Sequence, residues 1–128
     1  MAGISAILTA AGESSRMGRP KALLTWHGVT LLEYQVRSLL DSGVSEVVVV
    51  LGYRADDAVP YAIGREVRCI TNPDYRLGRS TSVRAGLGEI DPDAEGILLL
   101  AVDQPRSREI VSAVVRAHRR NDALITSP

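Results

Sequence analysis

The run Glu46–Leu51, E-V-V-V-V-L, constrains this chain more than any other stretch. Four valines in succession offer no alternation of apolar and polar faces, so a strand built from them is buried on both sides. That is the situation of a parallel sheet sandwiched between helices, whose strands need crossover connections of a dozen residues or more. Two further runs share the character, Ile4–Leu8 (I-S-A-I-L) and Ile97–Val102 (I-L-L-L-A-V). Val67–Thr71 and Asp122–Ile125 read as the other two strands, giving five in all.

Helix signals fill the gaps. Thr30-Leu31-Leu32-Glu33 is a capping-box sequence, with Thr30 as N-cap and Glu33 reaching back. Leu32, Val36, Leu39 and Leu40 then form one helical stripe, and Gly43 stands at the C′ position. Residues 55–63 are weakly periodic and broken by Pro60, which predicts a short helix or loop. Ser80–Leu87 predicts a helix capped by Ser80 or Thr81. Ser107–Arg119 predicts another, carrying Ile110, Val111, Val114, Val115 and His118 on one face. This alternation predicts a three-layer, mostly parallel, Rossmann-like α/β sheet in one domain spanning 1–128.

Ligands of such sheets bind at the carboxyl ends of the strands. Three polar segments fall there: Thr9–Lys21, Asn72–Ser82 and Asp103-Gln104-Pro105. The first holds Gly12, Arg16, Gly18 and Lys21, and Lys21 is the sole lysine among 15 basic residues. Gly12 and Gly18 permit close backbone approach and positive φ, which lets N–H groups face phosphate oxygens. A solvated surface loop explains the same composition. Neither a P-loop G-x-x-x-x-G-K-[ST] nor a dinucleotide-type G-x-G-x-x-G occurs. Asp103, leaving a buried strand, suits Mg²⁺ shared with substrate phosphates, and suits equally an N-cap with Pro105 near N1. Ser80 and Ser82 read either as caps or as contacts to a base or ribose. Cys69 reads as core, and neither His27 nor His118 has a partner pattern for metal or base chemistry.

Formal net charge is zero, so no overall field attracts nucleic acid or an anionic membrane. The apolar runs are too short to span a bilayer, no signal-peptide pattern opens the chain, and one cysteine suits a reducing compartment. The expectation is a cytoplasmic protein; the sequence sets no oligomeric state.

The stretch L-T-A-A-G-E-S-S-R-M-G-R-P-K, Leu8–Lys21, resembles the signature loop of nucleotidyltransferases, and within them the MocA-like branch of molybdenum cofactor cytidylyltransferases. The likeness continues through Gly43-Val44, Val47–Gly52, Asn72-Pro73, Gly78 and Ala101-Val102-Asp103-Gln104-Pro105. It implies that Ala10, Ala11 and Gly12 line the nucleotide with backbone groups. It implies that Arg16 and Lys21 hold the triphosphate and act catalytically, and that Asp103 binds Mg²⁺. Arg79–Leu87 is also similar to the R-x-x-S-V-x-x-G-L segment of methylerythritol phosphate cytidylyltransferases, which implies that Ser82 contacts the base with Gly78 and Arg79 nearby. Ala10-Ala11-Gly12 and Pro20-Lys21, where guanylyltransferases carry Gly-Gly and Asp-Lys, favour CTP over GTP. The implied partners are an NTP and a phosphorylated acceptor such as molybdopterin. Members of the family continue past the point where this chain stops, with a second metal-binding aspartate and much of the acceptor pocket. The resemblance therefore implies a nucleotide-binding part without its acceptor-binding part. The alternatives are a non-catalytic nucleotide-binding or regulatory module, a guanylyltransferase, or another sugar-phosphate nucleotidyltransferase. A dinucleotide-dependent oxidoreductase is disfavoured by the missing glycine fingerprint.

Overall fold

The computed structural model describes residues 3–14, 19–62, 64–104 and 107–121. Four strands form one sheet: β1 (Ile4–Ala10), β6 (Glu46–Leu51), β7 (Val67–Thr71) and β8 (Gly96–Ala101), in the order β7-β6-β1-β8. Every pairing is parallel. The first strand of the chain is therefore central, with Ile7 opposite both Val48 and Leu99. The expected end of β1 at Leu8 is two residues short. Thr9 and Ala10 stay in the ladder because Val50 and Leu51 offer them partners, and small side chains fit a strand buried on both faces.

Side-chain alternation divides the core into two layers. Ile4, Ala6, Leu8 and Ala10 join Val47, Val49 and Leu51 under α1 (Leu31–Asp41) and α4 (Arg108–Asn121). On the opposite face Ile7, Val48 and Val50 meet α3 (Arg79–Leu87), where a Cβ on Gly86 would come within 2.7 Å of Ile7 Cγ2. In α1, Leu32 and Leu39 are fully buried, each burial worth about 1.5–3 kcal/mol. Thr30 Oγ1 accepts the Glu33 N–H at 3.1 Å, and Gly43 takes φ +89°. Only half of the capping box forms, because the Glu33 carboxylate turns along the helix to Arg37 at 3.4 Å.

Short elements complete the described chain. β2 (Glu13–Ser14) and β3 (Arg19–Pro20) pair antiparallel, so the segment after β1 is a hairpin neck rather than an open loop. β4 (Thr25–Trp26) and β5 (Val29–Thr30) make a second hairpin turning at His27-Gly28, both at positive φ. His27 stacks on Tyr34 with ring centroids 5.5 Å apart. The interrupted segment after β6 is α2 (Ala55–Ala58) followed by a 3₁₀ turn through Pro60.

Two helix expectations are corrected. α3 is capped by neither Ser80 nor Thr81: Gly78 precedes it at φ +118°, a conformation that favours glycine, and Thr81 lies inside the first turn. α4 begins at Arg108, with Ser107 Oγ accepting the Ile110 N–H at 3.3 Å. Val111, Val114 and Val115 are buried as expected, whereas Ile110 is 43% exposed, at the margin of the stripe. The expected fifth strand, Asp122–Ile125, lies outside the described residues.

Candidate nucleotide site

The carboxyl ends of β1, β6 and β7 converge on one backbone position. A Cβ on Gly52 would lie 2.7 Å from Tyr75 and 2.9 Å from the Ala11 methyl. Around that glycine, Tyr53 N–H donates to Ala11 O at 3.1 Å and Asn72 N–H to Leu51 O at 2.7 Å. The exits of three strands are thus fastened together by close approach and backbone hydrogen bonds. On the other side of β1, Val102 N–H donates to Thr9 O at 2.9 Å, which brings the β8 exit and Asp103 to the same edge.

The residues singled out by sequence fall around this edge as follows. Ala10 and Ala11 are buried at 3% and 6% exposure, so only their backbone is in question as a contact surface. Gly12 is exposed, and a Cβ built on it meets nothing within 4 Å. Gly12 does not use the positive φ open to glycine; Gly28, Gly43 and Gly78 are the described glycines with that geometry. Among the described residues, neither backbone strain nor packing requires glycine at position 12. The side-chain-free ledge it leaves is suited to a ligand that approaches the backbone closely.

Gly78 and Arg79 start α3 at the same edge, and Arg79 Nε donates to Thr9 Oγ1 over 3.4 Å, a long bond spanning α3 and β1. Ser82 is one turn further on but only 2% exposed, its Oγ accepting from Asn72 Nδ2 at 2.9 Å. Lys21 opens a 3₁₀ turn, Lys21–Leu23, immediately before the fully buried Ala22. Arg16, Gly18 and Pro105 lie outside the described residues. Asp103 is exposed beside the β8 exit, and Ser107 rather than Asp103 caps α4. Of the two readings of Asp103, the capping one is removed.

Asn72 is the residue sequence reasoning passed over. It is 3% exposed and makes three side-chain hydrogen bonds, and the signal available was Asn-Pro-Asp at a strand end, an Asx-turn sequence. Elsewhere, Cys69 is half-buried with its thiol facing Ala62 O at 3.7 Å, and burial raises its pKa above the ordinary thiol value. A cleft of about 600 Å³ between Leu23, Thr30 and Tyr61 contains none of the expected site residues. Among the described residues no group of three or more His, Cys, Asp or Glu is placed to hold a metal ion, and no helix is long and apolar enough to cross a membrane. One carboxylate at this edge still matches the usual Mg²⁺ arrangement, in which one or two carboxylates share the ion with substrate phosphates and water.

A parallel sheet with helices on both faces and its polar segments gathered at the carboxyl edge defines an α/β domain, and the solved structures it superposes on give that domain the nucleotidyltransferase fold. The chain belongs to the MobA-like NTP transferase domain family, whose model matches residues 6–128. It is 37% identical over 94 residues to the molybdenum cofactor cytidylyltransferase of Escherichia coli K12, covering 73% of this chain and 48% of that protein. It is 36% identical over 118 residues to the nicotine blue oxidoreductase of Paenarthrobacter nicotinovorans, covering 91% and 57%. Among solved structures, a nucleotidyl transferase from Methanothermobacter thermautotroptrophicus superposes with a TM-score of 0.76 at 34% identity, covering 88% of this chain and 56% of that one. The chain spans roughly half the length of these relatives.

Proposed function

We propose that this chain carries the nucleotide-binding half of an Mg²⁺-dependent nucleotidyltransferase that uses an NTP, CTP by preference, and a phosphorylated acceptor of the molybdopterin type. The observation that carries the reading is Gly12: a glycine that neither φ nor packing demands, on the edge where Ala11, Arg79 and Asp103 converge. In the reaction, an acceptor phosphate oxygen attacks the α-phosphorus in line. The bond from that phosphorus to the bridging oxygen breaks, and pyrophosphate leaves with the electron pair. No protein nucleophile is needed, so catalysis consists of positioning and charge neutralisation. The Ala11–Gly12 backbone supports the nucleotide, Lys21 and Arg16 hold the triphosphate, and Arg79 borders it. Asp103 would hold Mg²⁺, which when bound neutralises charge developing on the phosphates.

A screen of the four NTPs with MgCl₂ against phosphorylated acceptors, molybdopterin forms included, tests this by pyrophosphate release. Release is expected with CTP and is expected to fall at least a hundredfold in Lys21→Ala and Asp103→Ala. Preference for GTP would change the base and leave the class intact. Binding of NTP without release would point instead to a nucleotide-binding module. A further reading, oxidoreductase, is favoured by one observation, the name of the Paenarthrobacter relative. Binding of NADH or NADPH in place of NTP would establish it over the transferase.

A further inference from the structure

Asn72 joins β7 to α3 by a network in which every hydrogen bond has a fixed direction. The backbone N–H of Asp74 lies 2.9 Å from the Asn72 side-chain oxygen. An N–H can only donate, so that atom is the carbonyl oxygen and the amide nitrogen faces the other way. The nitrogen has two hydrogens and two hydroxyl neighbours, Thr81 Oγ1 at 2.8 Å and Ser82 Oγ at 2.9 Å. Both hydroxyl oxygens therefore accept from Asn72, and each keeps its own proton to donate elsewhere. Thr81 places its proton on loop carbonyls, Gly78 O at 2.7 Å and Asp74 O at 3.1 Å. For Ser82, Asn72 is the one hydrogen-bond partner among the described residues, although Ser82 is 98% buried.

We propose that Asn72 is a positioning residue of the nucleotide site: its carboxamide leaves the Ser82 hydroxyl proton to act as a donor and pins the Asp74–Gly78 loop through Thr81. The proposal rests on the nucleotide-binding reading of this edge. A donor of fixed polarity selects an acceptor atom on its ligand, and a pyrimidine carbonyl oxygen at the base edge is the chemistry it fits. Asn72 touches no ligand in this arrangement. It acts through Ser82 and through the loop that leads to Gly78 and Arg79.

The test is Asn72→Asp, which is isosteric and keeps the oxygen that receives the Asp74 N–H. It replaces the amide donor by a carboxylate oxygen, so Ser82 must turn its proton toward that oxygen. Binding of CTP, UTP, GTP and ATP with MgCl₂ is measured by calorimetry for the wild type, Asn72→Asp, Ser82→Ala and the double variant, with thermal melting of each. Expected is at least a tenfold rise in Kd for the preferred pyrimidine nucleotide in Asn72→Asp, the order of one buried hydrogen bond lost. The purine nucleotides shift by less than threefold, and the penalty disappears in the Ser82→Ala background. A penalty of the same size in both backgrounds would make Asn72 merely structural and overturn the proposal, as would unchanged pyrimidine affinity. Should Asn72→Asp fail to fold, Ser82→Ala decides alone: unchanged discrimination between pyrimidine and purine nucleotides overturns it. A wild-type chain that binds no nucleotide overturns the underlying reading, an outcome distinct from the loss of selectivity alone.

Discussion

Gly12 separates two demands that usually coincide at one residue. Glycines are commonly held by backbone geometry or crowding, and at position 12 neither applies. Gly12→Ala should therefore leave the fold intact and raise its stability by about 0.4–1 kcal/mol through a less flexible unfolded chain. The same methyl should weaken NTP binding by tenfold or more, because it stands on the ledge that the ligand must reach. Melting and calorimetry on one sample check both, and unchanged affinity would sink the ledge as a contact surface. Cys69 gives a second residue-scale expectation. Its raised pKa means that the unfolded chain loses the thiol proton first as pH rises. Its contribution to stability is then full below about pH 8.5 and is lost as pH climbs through the folded-state value. Melting of Cys69→Ser beside the wild type from pH 7 to 10 should show the wild-type advantage shrinking on the alkaline side.

Elements defined by local signals were legible and those defined by tertiary partners were not. The α1 stripe, its Thr30 cap and its Gly43 terminator are all short-range, and they stand where the sequence puts them. Thr30→Ala should cost about 1 kcal/mol, measurable by denaturant titration. The start of α3 differs from the expectation because the choice between Gly78 and Ser80 depends on Asn72, a residue just past β7 that engages Thr81 and Ser82. The end of β1 differs from the expectation because β6 extends its ladder to Ala10 and β8 to Thr9. Part of the site follows the same division. Ala10, Ala11, Gly12 and Asp103 could be placed from strand ends alone, whereas the buried setting of Ser82 depends on how α3 lies against the sheet. That packing is tight at Gly86, so Gly86→Ala should overpack Ile7 and cost about 1–3 kcal/mol. Ile7→Val in the same chain should recover part of the loss, and simple additivity of the two would contradict the contact.

At the scale of the molecule, apolar cover is uneven. Ile97 and Leu99 on β8 share the α3 side of the sheet yet are 47% and 45% exposed, because α3 lies over β1 and β6. Among the described residues β8 pairs on its β1 side alone. The uniform burial read from I-L-L-L-A-V belongs to a strand covered on both faces, and here one face is covered less. Ile97→Thr with Leu99→Thr should cost little stability and should reduce association of the chain at high concentration, read by light scattering. An unchanged scattering profile would show that this face does not drive association.

The position of β1 has a kinetic consequence. β1 precedes the other three strands of the sheet in the chain yet lies between β6 and β8, tied to Glu46 across 41 residues and to Leu100 across 91. It cannot complete its ladders until β8 has left the ribosome, and such distant pairings form slowly. Ala11 and Asp103 belong to its two ends of that wait. The edge that holds Ala11 and Asp103 is therefore complete only once β8 is in place, and nucleotide binding during translation would report completion of the sheet rather than of any loop.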